Sequence, residues 1–327
     1  MGNYTSVEQE FVLQLNSKIS KLMQQSNIVG NADKINSDIR NLRIQLLSHM
    51  RKEKMQAVCN ITGRNLICYV SAWLQATGMN PEFQINDNDM NGLMNAVSGI
   101  KDRSKGLDLL LHTPGGVVTA TESIVCYLRK IFNMDIRVIV PHLAMSAGTM
   151  IACSSKEIIM GKQSSLGPID PQYHYVPAQG VLKEFERAVK ETITLPNISM
   201  IWREIICQYR PTFLGECENI VKMSYDLVEG WLLDCMFKKY KDRKERVTII
   251  MDEIASHDAS KVHDRHYDFQ KCKRLGLKVK SLEENQDLQD AVLSLYHCYI
   301  LSIYQLNNLV KVIENQFGQS FIINGKR

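Results

Sequence analysis

Between residues 65 and 160 the chain alternates two periodicities, and this alternation restricts its fold more than any other feature. Short apolar runs at 66–70, 107–111, 136–140 and 157–160 are separated by stretches whose apolar residues fall three or four apart. One such stretch carries Ala120, Ile124, Leu128 and Ile131 on a single face. The short runs have strand length, whereas the spacing between them is that of a helix. Strands alternating with helices are joined by crossovers, which predicts an α/β fold around a parallel sheet. In such sheets chemistry gathers beyond the carboxyl ends of the strands. Two of these ends are rich in small residues: HTPGG at 112–116 and HLAMSAG at 142–148.

The first turn fixes one φ angle through Pro114 and then relaxes the backbone at Gly115 and Gly116. A helical pattern follows at once, with Thr119 and Thr121 near its start. Bare N–H groups ahead of a helix suit an anion or a developing oxyanion. The same sequence also fits a tight strand-to-helix turn that binds nothing. In the second turn Ser146 stands between small residues at a strand-to-helix joint, the arrangement of a nucleophile elbow without its usual G-x-S-x-G spelling. The N–H of Ala147 would point toward the same oxyanion as the first turn. The bland alternative is a small residue easing a bend.

From LDLLLHTPGG through VPHLAMSAGTMIACSSKEIIMGKQSSLGPIDPQ the chain closely resembles the serine dehydrogenase proteinase family. That family is similar to the Clp protease and signal-peptide-peptidase-A clan, with its crotonase-type β/α spiral. The resemblance runs from about residue 60 to 285, is dense between 107 and 172, and includes RLGLKV near its end. It implies a parallel-sheet peptidase domain over 59–285, flanked by a helical hairpin at 1–58 and a C-terminal helical extension at 286–327. It also implies that Ser146 is the nucleophile, with Gly115 or Gly116 and Ala147 supplying the oxyanion hole. A peptidase is implied rather than a dehydrogenase, and no G-x-G-x-x-G fingerprint supports a nicotinamide cofactor; no cofactor is expected.

A serine hydroxyl needs a base at neutral pH. The Clp pattern places a histidine one strand and one loop beyond the serine, but SSLGPIDPQ contains none. His174 follows slightly later, while His112 and His142 flank the two turns. The signal-peptide-peptidase pattern uses a lysine at the start of a following helix, and Lys183 in LKEFERAVKE fits it best. Lys162 is the second candidate, and Asp170 is placed to orient either base. The ordinary fate of a lysine at a helix start is exposure to solvent.

The flanking segments read as packing elements. Val7, Phe11, Leu15, Ile19 and Leu22, then Ile35, Ile39, Leu42 and Leu46, mark two helices joined around Gly30. This hairpin suits packing, self-association or recruitment of a regulatory protein through residues 4–55. The apolar tract at 291–310 is interrupted by His297, Gln305, Asn307 and Asn308, and reads as a packing helix rather than a membrane span. His257, His263, His266 and Cys272 match no common zinc spacing and read as a polar loop, so no metal site is expected. The opening MGNYTS formally matches an acylation signal at Gly2, a pattern too short to carry weight.

A net charge of +4 with interspersed signs leaves no nucleic-acid footprint, and the run at 238–246 contains Asp242 and Glu245. Nine cysteines without C-x-x-C pairs fit reduced thiols, and therefore a cytoplasmic protein. The expected function is a soluble serine peptidase acting on protein or peptide substrates through a Ser146–lysine dyad. A catalytically inactive scaffold of the same fold is the first alternative, and a crotonase-type acyl-CoA enzyme the second. Relatives of this fold assemble into rings, so the resemblance also implies a homo-oligomer.

Overall fold

The computed structural model describes residues 2–25, 32–78, 80–173, 176–255 and 265–326. The chain opens with helices α1 (Tyr4–Gln25) and α2 (Ala32–Thr62). Strand β1 (Asn65–Ser71), helix α3 (Asp89–Ser98), strand β2 (Leu107–His112), helix α4 (Val118–Ile131) and strand β3 (Ile136–Val140) follow. After β4 (Leu143–Ala144) come helix α5 (Ala147–Cys153), β5 (Glu157–Met160) and β6 (Ser165–Leu166). A hairpin of β7 (Gln172–Tyr173) and β8 (Val176–Pro177) leads to α6 (Ala178–Thr194), α7 (Ser199–Ile206), α8 (Phe213–Trp231) and α9 (Arg243–Ile254). The last elements are β9 (Tyr267–Asp268), α10 (Phe269–Arg274), β10 (Val279–Ser281), α11 (Gln286–Gln305), β11 (Leu309–Asn315) and β12 (Ser320–Asn324).

Seven strands form the main sheet in the order β10-β5-β3-β2-β1-β11-β12. The first five are mutually parallel, as the alternation of periods requires, and β11 and β12 join antiparallel. Strand residues alternate between two cores because successive side chains point to opposite faces. Tyr69, Leu109, Leu111, Val138 and Val140 face α4, α5, α8 and α9. Cys68, Val70, Leu110 and Ile139 face Met55 and Val58 of α2 and Leu295 and Tyr299 of α11. With both faces covered, these strands are apolar throughout rather than alternating.

The stripe Val7, Phe11 and Leu15 on α1 is buried against Leu46, Leu47 and Met50 of α2 and Cys298 and Leu301 of α11. The hairpin thus packs on the chain's own helix. The C-terminal segment holds more than its expected helix. α11 stops at Gln305 and is followed by a β-hairpin whose first strand inserts beside β1. Asn307 and Asn308 break the helix, and Leu309 with the β-branched Val310, Val312 and Ile313 then supplies fully buried strand residues. Among the described residues no helix is long and apolar enough to cross a membrane.

Candidate active site

The two small-residue turns lie side by side beyond the carboxyl ends of β2 and β3. Thr113 and Ala144 form a parallel bridge. The Thr113 N–H donates to the Leu143 carbonyl at 3.1 Å, and the Met145 N–H donates to the Thr113 carbonyl at 3.0 Å. Ser146 follows immediately, with φ 49° and ψ −114°, ahead of α5. A non-glycine residue held in so sparsely populated a conformation costs about 1–3 kcal/mol and persists only where its surroundings enforce it. Thr149, fully buried one turn into α5, is part of that enforcement. Its hydroxyl lies 3.0 Å from the Ala144 carbonyl and 2.9 Å from the Gly167 carbonyl, and accepts the Gly167 N–H at 2.9 Å.

Gly115 has φ 103°, and a Cβ there would meet the Met145 carbonyl oxygen and Ser146 Cβ at 2.8 Å each. Gly116 runs against Ile85, where a Cβ would fall 2.3 Å from the Ile85 N and O atoms. The Ile85 N–H donates to the Gly115 carbonyl at 2.8 Å, and the Val117 N–H donates to the Ile85 carbonyl at 2.9 Å. This pairing turns the Gly116 N–H to the other side of the chain, where Gly116 lines a cleft. The Gly115 N–H is already engaged, donating to Thr113 Oγ1 at 3.1 Å. Ala147 opens α5, so its N–H has no carbonyl one turn earlier to bond. Among the described residues, neither the Gly116 nor the Ala147 N–H meets an acceptor.

Ser146 and Gly116 share that cleft of about 440 Å³. Its walls come from the start of α4, from Met150 of α5, from residues 169–173, and from Ile220 and Ser224 of α8. None of the described residues lining it is Lys, Arg, His, Asp or Glu. A negative charge arising at Ser146 would therefore meet backbone dipoles in apolar surroundings, where they act most strongly.

The structure distributes the candidate bases unevenly. Lys183 lies half-buried in the second turn of α6, outside the residues that line the cleft. Lys162 is exposed beyond β5, and its N–H donates to Glu283 at 2.9 Å. Asp170 is buried between Ile169 and Pro171, both of which line the cleft. His174 falls outside the described residues; its neighbour Tyr173 lines the cleft. His142 lies on the opposite face of the sheet, 3.1 Å from the Tyr296 hydroxyl and stacked on His112 with ring centroids 5.7 Å apart. Burial, reinforced by His142, pushes the His112 imidazole down to about 3, so it is neutral. Among the described residues no cluster of three or more His, Cys, Asp or Glu is placed to hold a metal ion. His257 and His263 lie outside those residues, whereas Cys272 is buried in the core.

Sequence reasoning missed Thr113, Thr149 and the segment around Ile85. Thr113 stands inside the HTPGG turn and Thr149 directly after HLAMSAG, but nothing local marks either hydroxyl as a strut. Ile85 reaches the site only through tertiary packing.

Comparison with known proteins agrees with this geometry. The model of the ClpP-like SDH-type serine proteinase family matches residues 39–214. Two uncharacterized proteins of Methanocaldococcus jannaschii are similar to the chain. One is 32% identical over 181 residues, covering 54% of this chain and 52% of the relative. The other is 31% identical over 182 residues, covering 54% of each. The chain thus spans about half the length of the curated relatives it matches. With the family match running across both turns and most of the cleft they line, the chain belongs to the ClpP-like SDH-type serine proteinases.

Proposed function

We propose that the protein is a serine peptidase that cleaves peptide bonds through an acyl-enzyme on Ser146. The observation that carries this reading is the forced backbone of Ser146 beside two turns whose Gly116 and Ala147 N–H groups have no acceptor among the described residues. Ser146 Oγ attacks the scissile carbonyl and gives its proton to a base. The carbonyl oxygen, now negative, takes hydrogen bonds from Gly116 and Ala147, and the amine departs with a proton. Water then hydrolyses the ester by the reverse sequence. The apolar, uncharged lining of the cleft suits a neutral side chain beside the scissile bond.

The base in this proposal is Lys183, on a helix that packs against the cleft-lining α8. His174 is a second reading, favoured by the position of its neighbour Tyr173 in the cleft wall. Treating the folded protein with a fluorophosphonate probe and mapping the adduct by mass spectrometry tests both. Ser146 is expected to be labelled, with labelling abolished in Ser146→Ala and severely reduced in Lys183→Ala. Normal labelling of Lys183→Ala alongside failure of His174→Ala moves the base to His174. Absence of any adduct on folded protein supports the inactive-scaffold reading instead.

A further inference from the structure

We infer that Lys311 and Asp89 are positioning residues, which decide through their hydrogen bonds to the segment 84–86 which N–H the glycine turn presents to Ser146. The inference rests on the peptidase reading for its purpose, but the chain of bonds stands on geometry alone.

Lys311 on β11 and Asp89 at the start of α3 are both fully buried, 222 residues apart in sequence. Lys311 Nζ donates to Asp89 Oδ1 at 2.6 Å and to the Gln84 carbonyl at 2.8 Å. Asp89 Oδ2 accepts the Asn86 N–H at 3.0 Å and the Tyr69 hydroxyl at 2.8 Å. An ionised carboxylate has no hydrogen to give, so Tyr69 must be the donor in that last bond. On the near side of the turn, Thr113 Oγ1 accepts the Gly115 N–H at 3.1 Å.

The same two charged groups grip the turn from its other side. Gln84 is held through its carbonyl by Lys311 and Asn86 through its N–H by Asp89. Ile85, between them, takes the Gly115 carbonyl and the Val117 N–H. With Gly115 engaged through both its polar groups and Val117 through its N–H, Gly116 is the residue whose N–H is left to face the cleft. An apolar pair of similar volume would fill the space behind the turn at no cost in stability, because burying two charges carries a large desolvation penalty. It would not, however, hold the Gln84 carbonyl and the Asn86 N–H on either side of Ile85.

The full-length chain carrying Asp89→Asn, or Asp89→Asn with Lys311→Met, tests this. Two readouts are needed: hydrogen exchange of the peptides covering 113–118, and the labelling rate of Ser146 with a fluorophosphonate. Asp89→Asn, which places an amide where Asn86 and Tyr69 donate, is expected to speed exchange at Val117 while β2 and β3 stay protected. It should slow labelling about tenfold, short of the hundredfold or more for outright loss of an oxyanion donor. The double variant removes both charges, and should recover thermal stability without recovering labelling. Recovery of both together, or exchange and labelling unchanged in Asp89→Asn, overturns the inference. So does exchange that rises equally throughout the sheet. An unlabelled wild-type protein would instead remove the peptidase reading, while the exchange measurement still decides whether the hydrogen-bond chain holds the turn.

Discussion

Gly115 and Ser146 occupy adjoining turns so closely that a single methyl group on the glycine would lie 2.8 Å from the serine Cβ and 3.0 Å from the Ala147 nitrogen. The two turns are therefore one unit. Gly115→Ala should both strain the φ 103° backbone and force the turns apart. We expect a loss of about 2 kcal/mol or more in urea unfolding, and a fall in Ser146 labelling of about a hundredfold. Gly215→Ala is the matched control. It lies in α8 with nothing within 4 Å of the new Cβ, so it should leave labelling intact and stabilise the protein by about 0.5–1 kcal/mol.

The strain at Ser146 makes a second prediction. Glycine accepts φ 49° without the clash that serine suffers there. Ser146→Gly should therefore raise the melting temperature, with a gain of about 1 kcal/mol, while eliminating the probe adduct. Ser146→Ala should eliminate the adduct without that gain. Equal melting temperatures for the two variants would show that the serine backbone is not under load.

Thr149 ties the elbow to the Gly167 turn through one hydroxyl. Replacement by valine preserves the shape but leaves the buried Gly167 N–H without its acceptor, at a cost of about 1–3 kcal/mol. Thr149→Ser retains the hydroxyl and should lose less. Comparing the two by denaturant unfolding separates the hydrogen bond from the methyl group.

The neutral His112 gives a pH signature. Its folded value lies near 3, well below the ordinary 6.5, because burial and then His142 oppose its charging. Below pH 6.5 the unfolded chain takes up a proton that the folded chain refuses. Stability from this group is therefore complete above 6.5 and falls as pH drops toward 3, by at most about 1.4 kcal/mol per pH unit. His112→Phe should flatten the dependence of unfolding free energy on pH between 4 and 6.5 by close to one proton. An unchanged slope would place the proton uptake elsewhere.

The α6–α7 arm exposes Ile193 and Met200, each 77% accessible, near the exposed Val189, Leu195 and Ile201. Such a patch suits an interaction surface, and the proposal that copies of the chain associate through it is tested by adding charge there. Ile193→Glu with Met200→Glu should reduce the mass measured by light scattering on a sizing column. A mass unaffected by both charges would remove this surface from the assembly.

What could be read from the sequence was what is local. Ile136, Val138 and Val140 announce a strand, the glycines of HTPGG announce a turn, and Ser146 stands where strand period yields to helix period. Each of these signals is read from a handful of consecutive residues. The base was not legible in the same way, because a lysine or histidine is recognised as a base by the field around it rather than by its neighbours in the chain. Tyr69, Asp89 and Lys311 illustrate the limit. They come from three unconnected elements, and Lys311 follows a tract whose apolar residues suggested only a helix. The sheet order, with β11 inserted beside β1, is what brings them together.

That insertion also orders events during synthesis. Strands β1, β2 and β3 and the serine turn leave the ribosome well before β11, yet the lysine behind the glycine turn arrives only with β11. On the peptidase reading, a nascent chain would thus carry its nucleophile for about half of its elongation without the strut that aims the turn opposite it. On that reading the site is completed last, after every residue that lines the cleft has been made.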